Sequence, residues 1–374
     1  MTAARAIGRA SAPLLLAALL AVPAVAVEPP SRLSDTGLYG PDGALAPGVQ
    51  PFAPQYPLWT DGACKSRWIH LPDGARIDVT DLDAWRFPVG TKLWKEFAWD
   101  GRKVETRLLW LAEPDRWVFA SYQWNDGQTD ALLAPAGGVP DVIEVAPGRS
   151  HSIPSRADCL VCHGAGPAAV LGFSALQLSD DRDPGAPHAE ALPPGAVTLR
   201  SLVDADRLSP PRPDLAVQPP RIRARDAVER SALGYLAANC GACHSGSGAL
   251  ARLGLDFRHP LAGDPHAPAP ALATALDAPG NWQVPGVAPD SSRVVAPGSP
   301  RRSTLVYRMH SRSPSSQMPP LGTVVPDAEA EAVLRRWISD LPGTSGVGPA
   351  KLERYGEAFV AEIREEEAEG AGAD

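Results

Sequence analysis

The chain has 374 residues, enough for more than one domain, and 44% of them are apolar, which excludes disorder throughout. Its 41 prolines and 34 glycines predict long irregular connections. A net charge of −8 argues against nucleic acid as the main partner.

At the N-terminus, Arg5 and Arg9 form a short basic region and Pro13 to Val22 an apolar one. Ala24-Val25-Ala26 has the small residues of a cleavage site, so residues 1–26 read as a Sec-type signal peptide cut after Ala26. Its removal takes two arginines and no acid, leaving a charge of −10. The expected compartment is the periplasm, where thiols are usually oxidised or otherwise covalently engaged. No later run of 18 apolar residues follows, so the mature chain is not expected to span a membrane.

Residues 27–57 read as an irregular, Pro/Gly-rich segment. Residues 58–150 read as a β-rich, sandwich-like domain. Lys92 to Phe97 alternates at period two, and Leu108 to Leu111 and Trp117 to Tyr122 are strand-forming runs. Asp100-Gly101 marks a hairpin and Pro72-Asp73-Gly74 a second turn. Eight of the ten tryptophans lie between Trp59 and Trp124 and predict an aromatic core, with a sugar platform or a lid as the alternative. Asp78, Asp81 and Asp83 form a charge cluster.

Residues 151–222 carry Cys159-Leu160-Val161-Cys162-His163, opened by a capping box at Ser155, and then a Pro-rich linker. Residues 223–345 begin with a helix from Asp226 to Asn239, whose Leu233, Leu236 and Cys240 share one face. That helix leads into Cys240-Gly241-Ala242-Cys243-His244. A Pro/Ala/Gly-rich insertion covers residues 256–292, and a short helix is expected over Ser303 to Met309. A last helix starts at Asp327, with Val333, Leu334, Trp337, Ile338 and Leu341 as its apolar stripe. Residues 346–374 form an acidic tail of net charge −5.

Both pentapeptides are C-x-x-C-H haem-attachment motifs. Two thiols on one helical turn reach the two vinyl groups of one porphyrin, and the next residue turns its imidazole to the iron. His163 and His244 are therefore the expected proximal ligands. A zinc ribbon would place its two C-x-x-C pairs much closer together and would not need a histidine after each. Cys64 is left over as a buried or free thiol.

For the sixth ligands, Met318 stands in Gln317-Met318-Pro319-Pro320, where the prolines stiffen the loop, and is expected on the second haem. Met309 reads as core packing. His151, and less directly His70, are candidates for the first haem, which could also lack a protein ligand.

Residues 223–342 resemble a class I cytochrome c domain, with a helix, C-x-x-C-H, a methionine loop and a C-terminal helix. Gly234-Tyr235 and Trp337 resemble that family's small and aromatic residues where the terminal helices cross. Over residues 33–342 the chain is similar to periplasmic dihaem c-type cytochromes with a β-rich N-terminal region. The shared stretches include Tyr56 to Gly62, Phe87 to Thr91, Trp124 to Asp130, Ile153 to Arg156 and Pro297 to Pro300. The resemblance implies a multidomain fold, a mainly-β sandwich-like region followed by a mainly-α class I cytochrome c domain. It also implies two covalently bound haem c groups.

The expected role is electron transfer from the first haem to the second, between redox protein partners such as a periplasmic dehydrogenase and a downstream acceptor. The alternative is a peroxidase-like dihaem enzyme with an open first iron. A sugar- or alcohol-binding module is a third reading.

Overall fold

A computed structural model describes residues 27–164, 168–264, 266–288 and 290–342. The expected signal peptide (residues 1–26) and acidic tail (residues 346–374) lie outside the described residues. Among the described residues ten strands and seven α-helices follow one another. The strands of the first half are β1 (Val49–Pro51), β2 (Cys64–His70), β3 (Ile77–Asp78), β4 (Lys92–Trp99), β5 (Arg102–Glu113), β6 (Arg116–Trp124), β7 (Ala131–Leu133), β8 (Val139–Ala146) and β9 (Arg149–Ile153). Then come α1 (Arg156–His163), α2 (Leu199–Asp204), β10 (Leu208–Ser209), α3 (Asp214–Val217), α4 (Ala227–Asn239), α5 (Pro270–Ala275), α6 (Thr304–His310) and α7 (Ala328–Asp340).

One antiparallel sheet dominates, in the order β1-β2-β4-β5-β6-β7. The hairpin between β4 and β5 turns on Asp100 and Gly101, at φ of 48° and 78°, as their order in the sequence predicts. Alternation sends Trp68, Trp94, Leu108 and Ala120, which pair in that order, to one face. There they bury Leu33 and Leu38 of the N-terminal segment, and the Trp94 indole donates to Thr36 Oγ1 at 3.0 Å. Arg67, Lys95, Arg107 and Ser121 pair across the same strands on the opposite face. Beside them Ile69, Leu93 and Leu109 pack against Val170, Phe173 and Leu178. Trp85, Trp94, Trp99 and Trp124 are buried, Trp68, Trp110 and Trp117 pack half-buried against the core, and Trp59 lines a surface cavity.

The expected fold class needs correcting in both halves. Strand makes up 23% and helix 22% of the structure, and the large antiparallel sheet is its main element. No second large sheet faces it among the described residues, so it is not a sandwich. Its faces are covered by irregular chain, which alternation within the strands does not reveal. Nor is a mainly-α cytochrome c domain found among the described residues. Only α4 and α7 reach 13 residues, and the chain between them holds helices of six and seven residues among turns.

The core around α4 and α7 is completed by Tyr56, Leu176 and Ala186, from far earlier in the chain. The Pro-rich stretch after the first motif is also more than a linker. Its Leu199, Leu202, Leu208 and Leu215 are buried beneath the sheet, and β10 pairs in parallel with β3.

Gly234 shows how tightly these parts fit. A Cβ there would lie 2.1 Å from Tyr56 Cε1, and the Tyr56 hydroxyl is itself held by Asp183 at 3.1 Å. The glycine therefore receives a ring from the N-terminal half. The neighbouring Tyr235 hydroxyl donates to Asp327 Oδ2 at 2.9 Å, and the Trp337 indole to Glu229 Oε2 at 3.2 Å. Gly234→Ala is expected to destabilise the protein by about 2–3 kcal/mol through overpacking, despite the better helix propensity of alanine. Urea denaturation of the purified protein measures it, and an unchanged midpoint would contradict this packing.

Candidate functional site

The first motif rides on α1. Ser155 Oγ accepts from Asp158 N–H at 3.1 Å and Asp158 Oδ2 accepts from Ser155 N–H at 2.9 Å, the reciprocal box that starts the helix. Cys159, Cys162 and His163 lie on this single element. The His163 ring packs on Phe119 of β6, centroids 5.2 Å apart. Its Nδ1 lies 2.7 Å from the Ala169 carbonyl oxygen, which can only accept. The proton therefore sits on Nδ1, and the Nε2 lone pair is free. Burial lowers the basicity of this imidazole and the fields of Lys95 and Arg107 add to that, with only the Ala169 bond opposing them.

The second motif follows α4, whose N-terminus is capped by Asp226. The helix ends at Asn239, and Cys243 and His244 N–H both donate back to the Cys240 carbonyl, at 3.1 and 2.9 Å. The His244 ring meets Phe257 edge-on, centroids 5.5 Å apart. Its Nδ1 is buried without a hydrogen-bond partner among the described residues. Burial, and then Arg308, lower its basicity.

The two motifs meet. The Cys162 and Cys243 thiols act on one another, which raises the Cys162 pKa and lowers that of Cys243. Cys240 is packed against the α4–α7 core, and burial pushes its thiol up to about 12. None of the five cysteines is in a disulfide.

Met318 is half-buried, and its N–H donates to the Arg308 carbonyl of α6 at 2.8 Å. Arg308 Nε donates in turn to Ser316 O at 3.0 Å. The residue whose charge acts on His244 thus also ties down the methionine loop. Met309 is buried in the α4–α7 core.

The two histidines offered for the first haem are engaged or turned away. His70 is on the Trp68 face of β2, opposite the face that carries Phe119 and His163. His151 is buried under Trp99, ring centroids 4.7 Å apart. Its Nε2 donates to Glu105 Oε1 at 2.9 Å, and its Nδ1 lies 3.9 Å from Asp61 Oδ2.

Burial alone would lower the His151 pKa, but Asp61 and Glu105 outweigh it and raise the pKa above its usual value. Glu105, fully buried, also binds Arg107 through both oxygens and is held below its usual range, against its own desolvation. Asp61 Oδ1 accepts from Val324 and Val325 N–H, both at 2.8 Å, just beyond the methionine loop. Sequence reasoning missed Asp61, Glu105 and Arg107. The only available signal was an acid and an arginine two residues apart on an inward-facing strand.

Cys64 is an exposed thiol, not a buried one. It lines a cavity of about 610 Å³ with Trp59, Lys65, Arg67, His188 and Glu190. The acidic cluster in the β-region binds backbone instead of converging. Asp78 accepts from Thr80 N–H, Asp81 from Asp83 N–H, and Asp83 from Leu261 N–H.

Among the described residues no three His, Cys, Asp or Glu side chains gather to hold a metal ion by themselves. No described helix is long and apolar enough to cross a membrane. No protein-family model, curated protein or solved structure matches the chain.

The donor set fits a pair of haem c groups. Each motif offers two unpaired thiols beside an imidazole of lowered basicity. One imidazole has its proton fixed away from Nε2, which leaves that nitrogen free to bind iron.

Proposed function

We propose that this protein is an exported dihaem c-type electron carrier. Cys159 and Cys162 hold one haem, and Cys240 and Cys243 the other, by thioether bonds. His163 and His244 are the axial ligands, and Met318 is the sixth ligand of the second iron. The observation that carries this reading is the contact between Cys162 and Cys243, which brings two attachment motifs distant in sequence to adjoining positions. When bound, each haem supplies a one-electron Fe(III)/Fe(II) couple whose potential follows its axial ligands and their hydrogen bonds.

The chain's own residues set a direction. A hydrogen bond from the far ring nitrogen raises ligand basicity and so favours the ferric state. His163 makes that bond to Ala169, and His244 Nδ1 makes none. The Met318 thioether is a further ligand that favours the ferrous state. Electrons therefore run from the first site to the second. The acidic chain suits a basic redox partner, with association that weakens in salt.

The test is a pyridine haemochrome count with the intact mass of the exported protein, where two haems per chain are expected. A colourless product whose Cys162 and Cys243 form a disulfide would replace this reading. Stepwise reductive titration should show two waves, and Met318→Leu should lower only the more positive one. If both waves moved together, Met318 would not belong to one site.

A second reading has its own observation. With His151 paired to Glu105 and His70 on the far face, neither is offered to the first iron. An open iron would make the protein a peroxide-reducing enzyme fed from the second site. A high-spin band in the oxidised protein that shifts with cyanide would favour it, and two low-spin haems without peroxide turnover would exclude it.

A further inference from the structure

The face of the sheet beneath α1 carries an uncommon row of charge. Arg67 of β2 pairs with Lys95 of β4, and Lys95 with Arg107 of β5, so three cations stand side by side across three strands. Like charges directly opposite one another destabilise a sheet. Two of the three have partners. Arg67 is bound by Glu190 through both oxygens at 2.5 and 3.1 Å, and Arg107 by Glu105 at 2.5 and 3.1 Å.

Lys95 has none. Its ammonium group makes no hydrogen bond or ion pair among the described residues and lies 4.8 Å from the centre of the Phe97 ring. Burial, and then Arg67, Lys65 and Arg107, push its amine well below the usual lysine range. Lys65, on the same face of β2, is lowered to about 8 by burial and Arg67. A half-buried excess of positive charge is what a missing anion would relieve.

The row adjoins the first motif. Arg107 exerts its field on both Cys159 and Cys162, and Lys95 and Arg107 exert theirs on His163. Arg67 and Lys65, at the other end of the row, line the 610 Å³ cavity, which Lys95 and Arg107 do not reach. A haem joined at Cys159 and Cys162 brings two propionate carboxylates, two anions on the porphyrin edge opposite the thioether bonds. An iron ligated by Lys95 would instead add a cation to the row.

We propose that Arg67, Lys95 and Arg107 form the cradle for the propionate carboxylates of the haem at Cys159 and Cys162. This rests on the dihaem reading and adds the residues that seat the first haem and tune it. Lys95 is the principal anchor, because it alone of the three is in no ion pair among the described residues, with Glu190 acting on it only from a distance.

The test uses the holoprotein with Lys95→Met, Lys95→Arg and Arg67→Gln, each first counted for haem. Two haems in every variant keeps the dihaem reading intact, and fewer than two in the unaltered protein would sink that reading itself. A cation beside the haem favours the reduced form. Lys95→Met should therefore shift the Fe(III)/Fe(II) ratio of the first haem toward Fe(III) by about tenfold, a fall of about 59 mV. The second haem serves as the internal control. Lys95→Arg should restore the potential, and Arg67→Gln should lower it in the same direction.

Resonance Raman spectra of the unaltered protein provide a readout that needs no variant, since hydrogen-bonded propionates shift their bending modes. Two attached haems with unmoved potentials in Lys95→Met and Arg67→Gln would overturn the proposal. So would inorganic phosphate stabilising the unaltered holoprotein but not Lys95→Met, because the cradle would then serve a free anion.

Discussion

Changing Cys240 and Cys243 together to serine is expected to leave one haem per chain instead of two, with visible absorbance falling by about half. Serine oxygen does not form the thioether, and the second haem would be held only by His244 and Met318. The chain should still fold, because the α4–α7 core is built from Leu233, Leu236, Leu334, Trp337 and Ile338, with Cys240 only packed against its edge. The haem that remains should be the one of lower potential, so the more positive wave of a reductive titration disappears.

The reciprocal change, Cys159 and Cys162 to serine, should remove the other wave. Cys162→Ser alone separates thioether from disulfide chemistry. If Cys162 and Cys243 were bonded to each other, this change would release a thiol on Cys243 that a maleimide titrates. If both carry haem, no thiol is released. Loss of both haems from either double variant would mean that the two sites do not load independently.

What was legible in the sequence was what is local. The C-x-x-C-H motifs, the Ser155 and Asp226 caps and the Asp100-Gly101 hairpin each depend on residues within a few positions, and each has a fixed spacing. Illegible were the partners supplied from a distance. Nothing in Tyr56 announces that it closes the space left by Gly234, and the leucines between the prolines of residues 197–215 have no period that marks them as core. Alternation identified the strands but not the irregular chain that covers them, so a sandwich was expected where the described residues hold one large sheet and two strand pairs.

The candidate site divides in the same way. The proposed ligand residues carry a motif, whereas the groups around them do not. Glu105, Arg107 and Lys95 look in sequence like the polar half of alternating strands facing water, yet their face is covered by α1 and the chain that follows it. His151 was read as a ligand candidate because it lies shortly before the first motif. Its true neighbours, Asp61 and Glu105, reach it only through the fold.

His151→Leu is therefore expected to cost stability more than redox function. It leaves Glu105, fully buried, with Arg107 as its remaining charged partner, and frees Asp61 from one of its contacts. Removing one member of a buried charged pair costs about 3–5 kcal/mol, and the retained Arg107 places this case near 3. The effect should depend on pH with a definite sign. The His151 pKa is raised on folding, so its contribution is fully present below about 6.5 and is lost as pH rises through the folded value. The Glu105 pKa is lowered, so its contribution is present above about 4.5 and is lost as pH falls through the folded value.

The difference between the unaltered protein and the variant should thus be greatest near pH 5–6 and shrink toward pH 9. Urea denaturation at a series of pH values measures it, and both haem potentials should stay in place. A loss that grew with pH would mean that His151 is held neutral. A shift in the first haem's spectrum without loss of stability would return His151 to the iron.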